Sequence, residues 1–326
     1  MKASERELLA AYQHVRRRGS VVKAGEGLEF TGYGARALIK VAPVIGSRLN
    51  SCQAIYHEPG ETFAIHAHPV SETVYVVYQG KGQVFLDDAW HDIEAGDVVY
   101  VPEGYKHGTR NLQTNPEVLV VYDWGVPPPL EQYELGGWWT QVYAEIKSGA
   151  DRVKKSYKGQ MPPRQSGQKP QILNVDEGAE FYNYGCLMKF IVWPNMGSRM
   201  ISCHCAYQSK GDTFNIHRHP QSEDTVVVLA GRGQVFLDDR WYDLEPGDVF
   251  YAPEDVKHGT RNLEYDGVFQ CAGCAAPPQM ELYELAGYMP YAYVEIPGAE
   301  AVKVYSPHDR LEDLLRSEGK NQGGKD

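Results

Sequence analysis

Residues 60–88 read GETFAIHAHPVSETVYVVYQGKGQVFLDD, and residues 211–239 read GDTFNIHRHPQSEDTVVVLAGRGQVFLDD. KHGTRNL likewise stands at 106–112 and again at 257–263. The offset is a constant 151 residues, taking Gly60 to Gly211, His66 to His217 and His107 to His258. Upstream it carries Gly46-Ser47-Arg48 onto Gly197-Ser198-Arg199, and Cys52 onto Cys203. Downstream it falls to 150, matching Tyr133-Glu134-Leu135 to Tyr283-Glu284-Leu285. A period this long exceeds solenoid units of roughly 20–50 residues, so the chain is a duplicated domain.

Within each copy, runs such as TVYVVYQG, GQVFLDD and GDVVYVP are rich in Val, Tyr and Phe, with Gly, Pro or Asp between them. That pattern is an antiparallel barrel or sandwich. Two helices are expected outside the barrels. One follows the Ser4/Glu7 capping-box spacing and stops at Gly19, its Arg16-Arg17-Arg18 run closing the C-terminus. The other starts at Ser306-Pro307 and stops at Gly319. The reading is all-β: an N-terminal helix (1–20), a first barrel (21–150), a Lys/Pro/Gln/Gly-rich linker (151–170), a second barrel (171–301) and a C-terminal helix with a polar tail (302–326).

The chain has 326 residues, is 42% hydrophobic and carries a net charge of −11, which suits two globular cores and argues against a nucleic-acid binder. No apolar run approaches the roughly 18 residues of a membrane span. The start mixes acids with arginines and has no secretory h-region, and the six cysteines suggest a reducing interior, so a cytoplasmic location is expected. Cys203, Cys205, Cys271 and Cys274 could be drawn together as a thiolate site. Buried free cysteines acting as small apolar residues are the preferred reading, because a spacing of three on a strand puts Cys271 and Cys274 on opposite faces.

His66 and His68 stand two apart on a strand and share a face, so their imidazoles can share one ion. Glu72 follows the bend at Pro69 and can supply an oxygen. Gly96 and Pro102 bracket a further strand, Gly104 turns it, and His107 and Asn111 follow with one parity. Copy 2 repeats the set with His217, His219, Glu223, Gly247, Pro253, His258 and Asn262, and has Asp255 in place of glycine. Asp tolerates left-handed backbone, so the turn should survive.

These residues resemble the two signature motifs of the cupin superfamily: Gly-x5-His-x-His-x3-Glu from Gly60 and Gly211, and Gly-x5-Pro-x-Gly-x2-His-x3-Asn from Gly96 and, with one departure, Gly247. The resemblance covers about residues 25–145 and 176–295. It implies two jelly-roll barrels, each with one divalent ion held by His66, His68, Glu72 and His107, or by His217, His219, Glu223 and His258. Three imidazoles and a carboxylate suit Fe(II) first, then Mn(II), with Ni(II), Co(II), Zn(II) and Cu(II) open.

Three functions are carried forward. The first is a metal-dependent dioxygenase or related oxidoreductase using O2 on a small organic substrate, similar to quercetinase-like bicupins. The second is a lyase of oxalate-decarboxylase type, against which stands the lack of a Ser-Glu-Asn-type lid loop for proton delivery. The third is a non-catalytic binding or storage protein. Homo-oligomerisation is left open. By strand parity, Thr62, Ala64, Thr213 and Asn215 face inward, while Phe63 and Phe214 face outward. Arg110 and Arg261 are read as surface or interdomain ion-pair residues, and Glu131 and Glu281 as surface acids. The copies differ at Ala64/Asn215, Ala54/Cys205 and Gly104/Asp255. Since an amide can hydrogen-bond a ligand or substrate and a methyl cannot, Asn215 is the candidate catalytic residue, and the C-terminal site is expected to do the main chemistry.

Overall fold

Near-continuous apolar runs such as Glu72–Gln79 (ETVYVVYQ) mark strands buried on both faces, where strict alternation is lost. The computed structural model describes residues 18–138, 169–183 and 185–288 and shows why. Both terminal helices expected from the sequence, and most of the linker, lie outside these residues.

Each half builds a seven-stranded and a four-stranded antiparallel sheet. In spatial order the first large sheet runs Gln171–Asn174, Asp97–Val101, Glu72–Gln79, Leu119–Val126, Ser51–His57, Arg36–Val41, Leu28–Phe30. The small sheet facing it runs Thr62–His66, His107–Arg110, Lys81–Leu86, Ala89–Glu94. The second half repeats this order, with Ser20–Val22 at the edge of its large sheet.

That edge strand departs from the boundaries at 21 and 171. Ser20–Val22 pairs with Val249–Tyr251 of the second half, and Gln171–Asn174 pairs with Asp97–Tyr100 of the first. Each half lends its leading strand to the edge of the other's large sheet, which ties the two halves together through backbone hydrogen bonds. Buried Lys40 secures the loop after the first exchanged strand, donating to the carbonyls of Lys23 (2.9 Å), Ala24 (2.6 Å) and Glu26 (2.5 Å). Lys40→Met keeps the stem but strands three carbonyls. It should destabilise the protein by about 2–4 kcal/mol, read from denaturant unfolding.

Strand parity sorts the side chains between two cores. Tyr75 and Val77 point into the first barrel with Phe63, Val84 and Ile93. Val74 and Val76 point the other way and join Val227, Val249 and Cys274 between the halves. All six cysteines are buried and free, and Cys271 and Cys274 fall into different clusters, as their spacing requires. Asp255 adopts φ +61° where Gly104 has +82°, and both backbone N–H groups donate to the carbonyl of the second motif histidine, His219 and His68 respectively.

Candidate metal centres

In each barrel three histidines converge. His66 ends one strand and pairs in register with His107, which begins the next; His217 and His258 do the same. Ring centroids for 66–68, 66–107 and 68–107 are 4.7, 4.4 and 5.0 Å apart, and the second trio has the same three values. One nitrogen from each of the three lies within 4.8 Å of the others.

Hydrogen bonding on the outer nitrogens sets the tautomers. Nδ1–H donates to the carbonyl of Ala64 from His66 (2.8 Å), to Tyr105 from His107 (2.8 Å), to Asn215 from His217 (2.7 Å) and to Val256 from His258 (2.9 Å). His68 and His219 donate instead to the carboxylates of Glu131 (2.5 Å) and Glu281 (2.6 Å). The Nε2 atoms thereby turn their lone pairs towards the centre of each trio, and Nε2 of His107 and His258 is buried without a hydrogen-bond partner. Burial, with the neighbouring histidines second, pushes His66 down to about 4 and His217 to about 2, and holds His107 well below its usual range. Neutral imidazoles with inward lone pairs are what a divalent ion requires, and the residues fit one.

Glu131 and Glu281 are therefore site residues, which corrects the reading of them as surface acids. They sit one residue inside the short helices Leu130–Leu135 and Met280–Leu285, reached through cis-prolines at 127 and 277. Burial alone would raise Glu131, but the hydrogen bond from His68 holds it below the usual carboxylate range. A carboxylate on the far nitrogen orients a ligating imidazole and strengthens it as a donor. Glu281→Gln should weaken metal binding in the second barrel by roughly 10–100-fold without touching the first, measured by chelator competition.

Glu72 and Glu223 are placed elsewhere. Each opens a strand with its side chain on the interdomain face. Glu72 accepts from the backbone N–H groups of Arg199 (3.0 Å), Met200 (2.8 Å) and Ile201 (3.2 Å), and from the Tyr100 hydroxyl (3.0 Å). Glu223 accepts from Arg48 (3.0 Å), Leu49 (3.0 Å) and Asn50 (3.1 Å). The histidine trios do not include them. The inward positions on these strands belong to the next residue, Thr73 in the first barrel and Asp224 in the second. Asp224 Oδ2 lies 3.7 Å from His258 Nε2. Burial pushes its carboxyl up, but His258, His204 and His219 outweigh that and hold it well below the usual range.

Asn215 is also corrected. A register shift between Phe214 and His217, matched by one beside His107 in the first half, inverts parity upstream of the histidine. Phe63 and Phe214 thus turn inward, their rings 5.6 and 5.0 Å from His66 and His217. Thr62, Ala64 and Asn215 are exposed and Thr213 is half-buried, so Asn215 meets the site through its carbonyl alone among its recorded contacts. Arg110 and Arg261 stack on Trp90 (4.1 Å) and Trp241 (3.8 Å) and donate to Gln83 and Gln234, rather than pairing with acids.

The second centre opens on a cavity of about 30 Å³, lined by the three histidines, Asp224, His204 and apolar side chains including Phe214, Val226 and Phe250. From the Gln279 side chain, Nε2 donates to His219 Nε2 at 2.9 Å.

Comparison with known proteins agrees with this geometry. The cupin domain family matches residues 55–122 and 204–267, once in each half. Quercetin 2,3-dioxygenase of Bacillus subtilis (strain 168) is 23% identical over 230 residues, covering 62% of this chain and 66% of that enzyme, just under two thirds of its length. The YlbA protein of E. coli superposes with a TM-score of 0.59 at 13% identity, covering 84% of this chain and 97% of that one. Oxalate decarboxylase of Lactobacillus farciminis, in complex with formate, gives 0.55 at 15% identity, covering 79% and 86%. These structural likenesses are of fold. A doubled β-barrel with a histidine trio in each half defines the class, and the chain is a bicupin of the cupin superfamily. Among the described residues no helix is long and apolar enough to cross a membrane.

Proposed function

We propose that the chain is a metal-dependent oxidoreductase of dioxygenase type, acting on a small organic molecule in its second barrel. The observation that carries this is the cavity set directly against His217, His219 and His258. In this reading each trio holds one divalent ion, and Asp224 replaces Glu223 as the carboxylate of the second centre. Three imidazoles and an oxygen donor suit Fe(II) first and Mn(II) second, with Ni(II), Co(II), Zn(II) and Cu(II) accommodated by the same set. A bound ion would supply a Lewis-acidic and, for iron or manganese, redox-active centre for oxidation of the substrate by O2.

The chain's own residues do the rest. Glu281 fixes the tautomer of His219 and raises its donor strength. Phe214, Val226 and Phe250 keep bulk water from the reacting face. The decarboxylase reading ranks second, because the sequence carries no Ser-Glu-Asn-type lid loop for proton delivery. A purely binding role ranks third, because the cavity and the histidine trio converge on one point. The test is oxygen uptake by metal-replete protein across a panel of small aromatic and aliphatic substrates, with labelled O2 to follow both atoms into product. CO2 release without net O2 use would replace this reading with the decarboxylase, and binding without turnover would leave the non-catalytic one.

A further inference from the structure

The two barrels share their histidines but place their inward carboxylates on different strands. In the second, Asp224 Oδ2 lies 3.7 Å from His258 Nε2, and Oδ1 is buried without a hydrogen-bond partner. Two donors bound to one ion at about 2.0–2.2 Å stand roughly 3–4 Å apart, so this carboxylate is placed to share the ion of the trio. The equivalent residue of the first barrel is Thr73, fully buried, its hydroxyl also without a partner. A threonine hydroxyl keeps its proton and brings no charge to an ion, where a carboxylate brings one.

The first barrel carries its inward acid one strand away. Asp123 stands on Leu119–Val126, and its Oδ2 accepts from Gln53 Nε2 at 2.7 Å, which commits the carboxylate to the strand Ser51–His57. The second barrel has no room for an acid in that place. Residue 273, equivalent to 123 at the 150-residue offset, is glycine, and a Cβ on it would lie 2.8 Å from His204 Nε2 and 2.6 Å from a Val226 methyl. His204 itself stands where the first barrel has Gln53. Thr73, Gln53 and Asp123 thus change together, to Asp224, His204 and Gly273. The acid has moved to the neighbouring strand, and the side chains around both places differ to match.

We propose that the two centres differ in donor charge: the first is a three-imidazole site, and the second a three-imidazole, one-carboxylate site that holds an oxygen-preferring divalent cation such as Mn(II) the more tightly. The proposal rests on the reading that each trio holds one ion, and it assigns the donor set of each. Neutral imidazoles alone leave the double charge of the ion undiminished in a buried place, whereas Asp224 offsets one unit of it. Carboxylate oxygen is also the donor that suits Mn(II).

The probe is Mn(II) alone. Full-length protein loaded with two equivalents is titrated with a chelator in the absence of substrate, and the ion remaining on the chain is followed by electron paramagnetic resonance. Wild type should release its ions in two steps of one per chain, separated in affinity by at least about ten-fold. His66→Ala/His68→Ala should remove the weak class and His217→Ala/His219→Ala the tight one. Asp224→Asn, which keeps the shape and removes the charge, should weaken the tight class by roughly ten-fold or more and bring it towards the other. Thr73→Asp/Asp123→Asn moves the first barrel's acid to the place it has in the second, at unchanged net charge, and should tighten the weak class by a similar factor. If that double variant melts early, the Asp224→Asn result decides. Two ions released at one affinity, a tight class indifferent to Asp224→Asn, or a tight class lost with the first-barrel histidines would overturn the proposal. The expected pattern of release, with no oxygen uptake on any substrate, would refute the dioxygenase reading and leave this assignment standing.

Discussion

The double variant His217→Ala/His219→Ala should lose one of two bound ions and bring turnover to background, a fall on the order of 10³ or more, since the centre to which the substrate binds is removed. His66→Ala/His68→Ala should also lose one ion but keep turnover within about ten-fold. The asymmetry follows from what surrounds the trios. Second-half histidines face a cavity and the carboxylate of Asp224, whereas Tyr33 and Tyr75 pack against the first-half rings. Metal content by elemental analysis and turnover on the same samples decide the matter. Turnover abolished by the first-half pair and kept by the second-half pair would make the N-terminal barrel the reactive one.

The duplication, the barrel class and the six histidines were legible because each rests on strict spacing: a constant offset, punctuated β-rich runs, and His-x-His parity. The C-terminal site was also singled out from sequence, but on Asn215, which the structure leaves exposed. The error lay in carrying strand parity through a bulge. One extra residue between Phe214 and His217 reverses the face of everything before it, and no residue in TFNIH announces the insertion. Glu131 and Glu281 were missed for another reason. They lie some sixty residues from the histidines they bind, on short helices after the last barrel strand, a distance that no local spacing bridges. The strand exchange was equally hidden, since SVV and QILN read as edge strands of whichever sheet lies nearest.

Glu72 and Glu223 were misplaced by motif spacing although the alternation in ETVYVVYQ held the answer. Tyr75 and Val77 belong to the barrel core, so Thr73 shares their face and Glu72 opposes it. The repeated Gly-Ser-Arg segments supply the other half of the arrangement. Gly46 and Gly197 take φ of +108° and +101°, a left-handed conformation that ends each short 3-10 turn and aims three successive N–H groups across the domain boundary. Each carboxylate is thus an acceptor for a backbone nest in the opposite barrel, flanked by the Arg48–Glu254 and Arg199–Glu103 ion pairs.

Replacing Glu72 by alanine removes the buried carboxylate that accepts from those three N–H groups and from the Tyr100 hydroxyl, at a cost of about 3–5 kcal/mol. Burial pushes the Glu223 carboxyl up to about 7, with Glu254 adding to the rise and Arg48 opposing it, so Glu223 gives up part of its charge near neutrality. Glu223→Ala removes the matching acceptor of the Arg48, Leu49 and Asn50 N–H groups and should also destabilise the protein. In both variants the ion count should remain two per chain, and Asp224→Ala should do the reverse: little loss of stability, but a weakened second centre. Denaturant unfolding paired with elemental analysis separates the roles. A Glu72→Ala protein of native stability that has lost an ion would return Glu72 to the ligand set and remove the interdomain clamp.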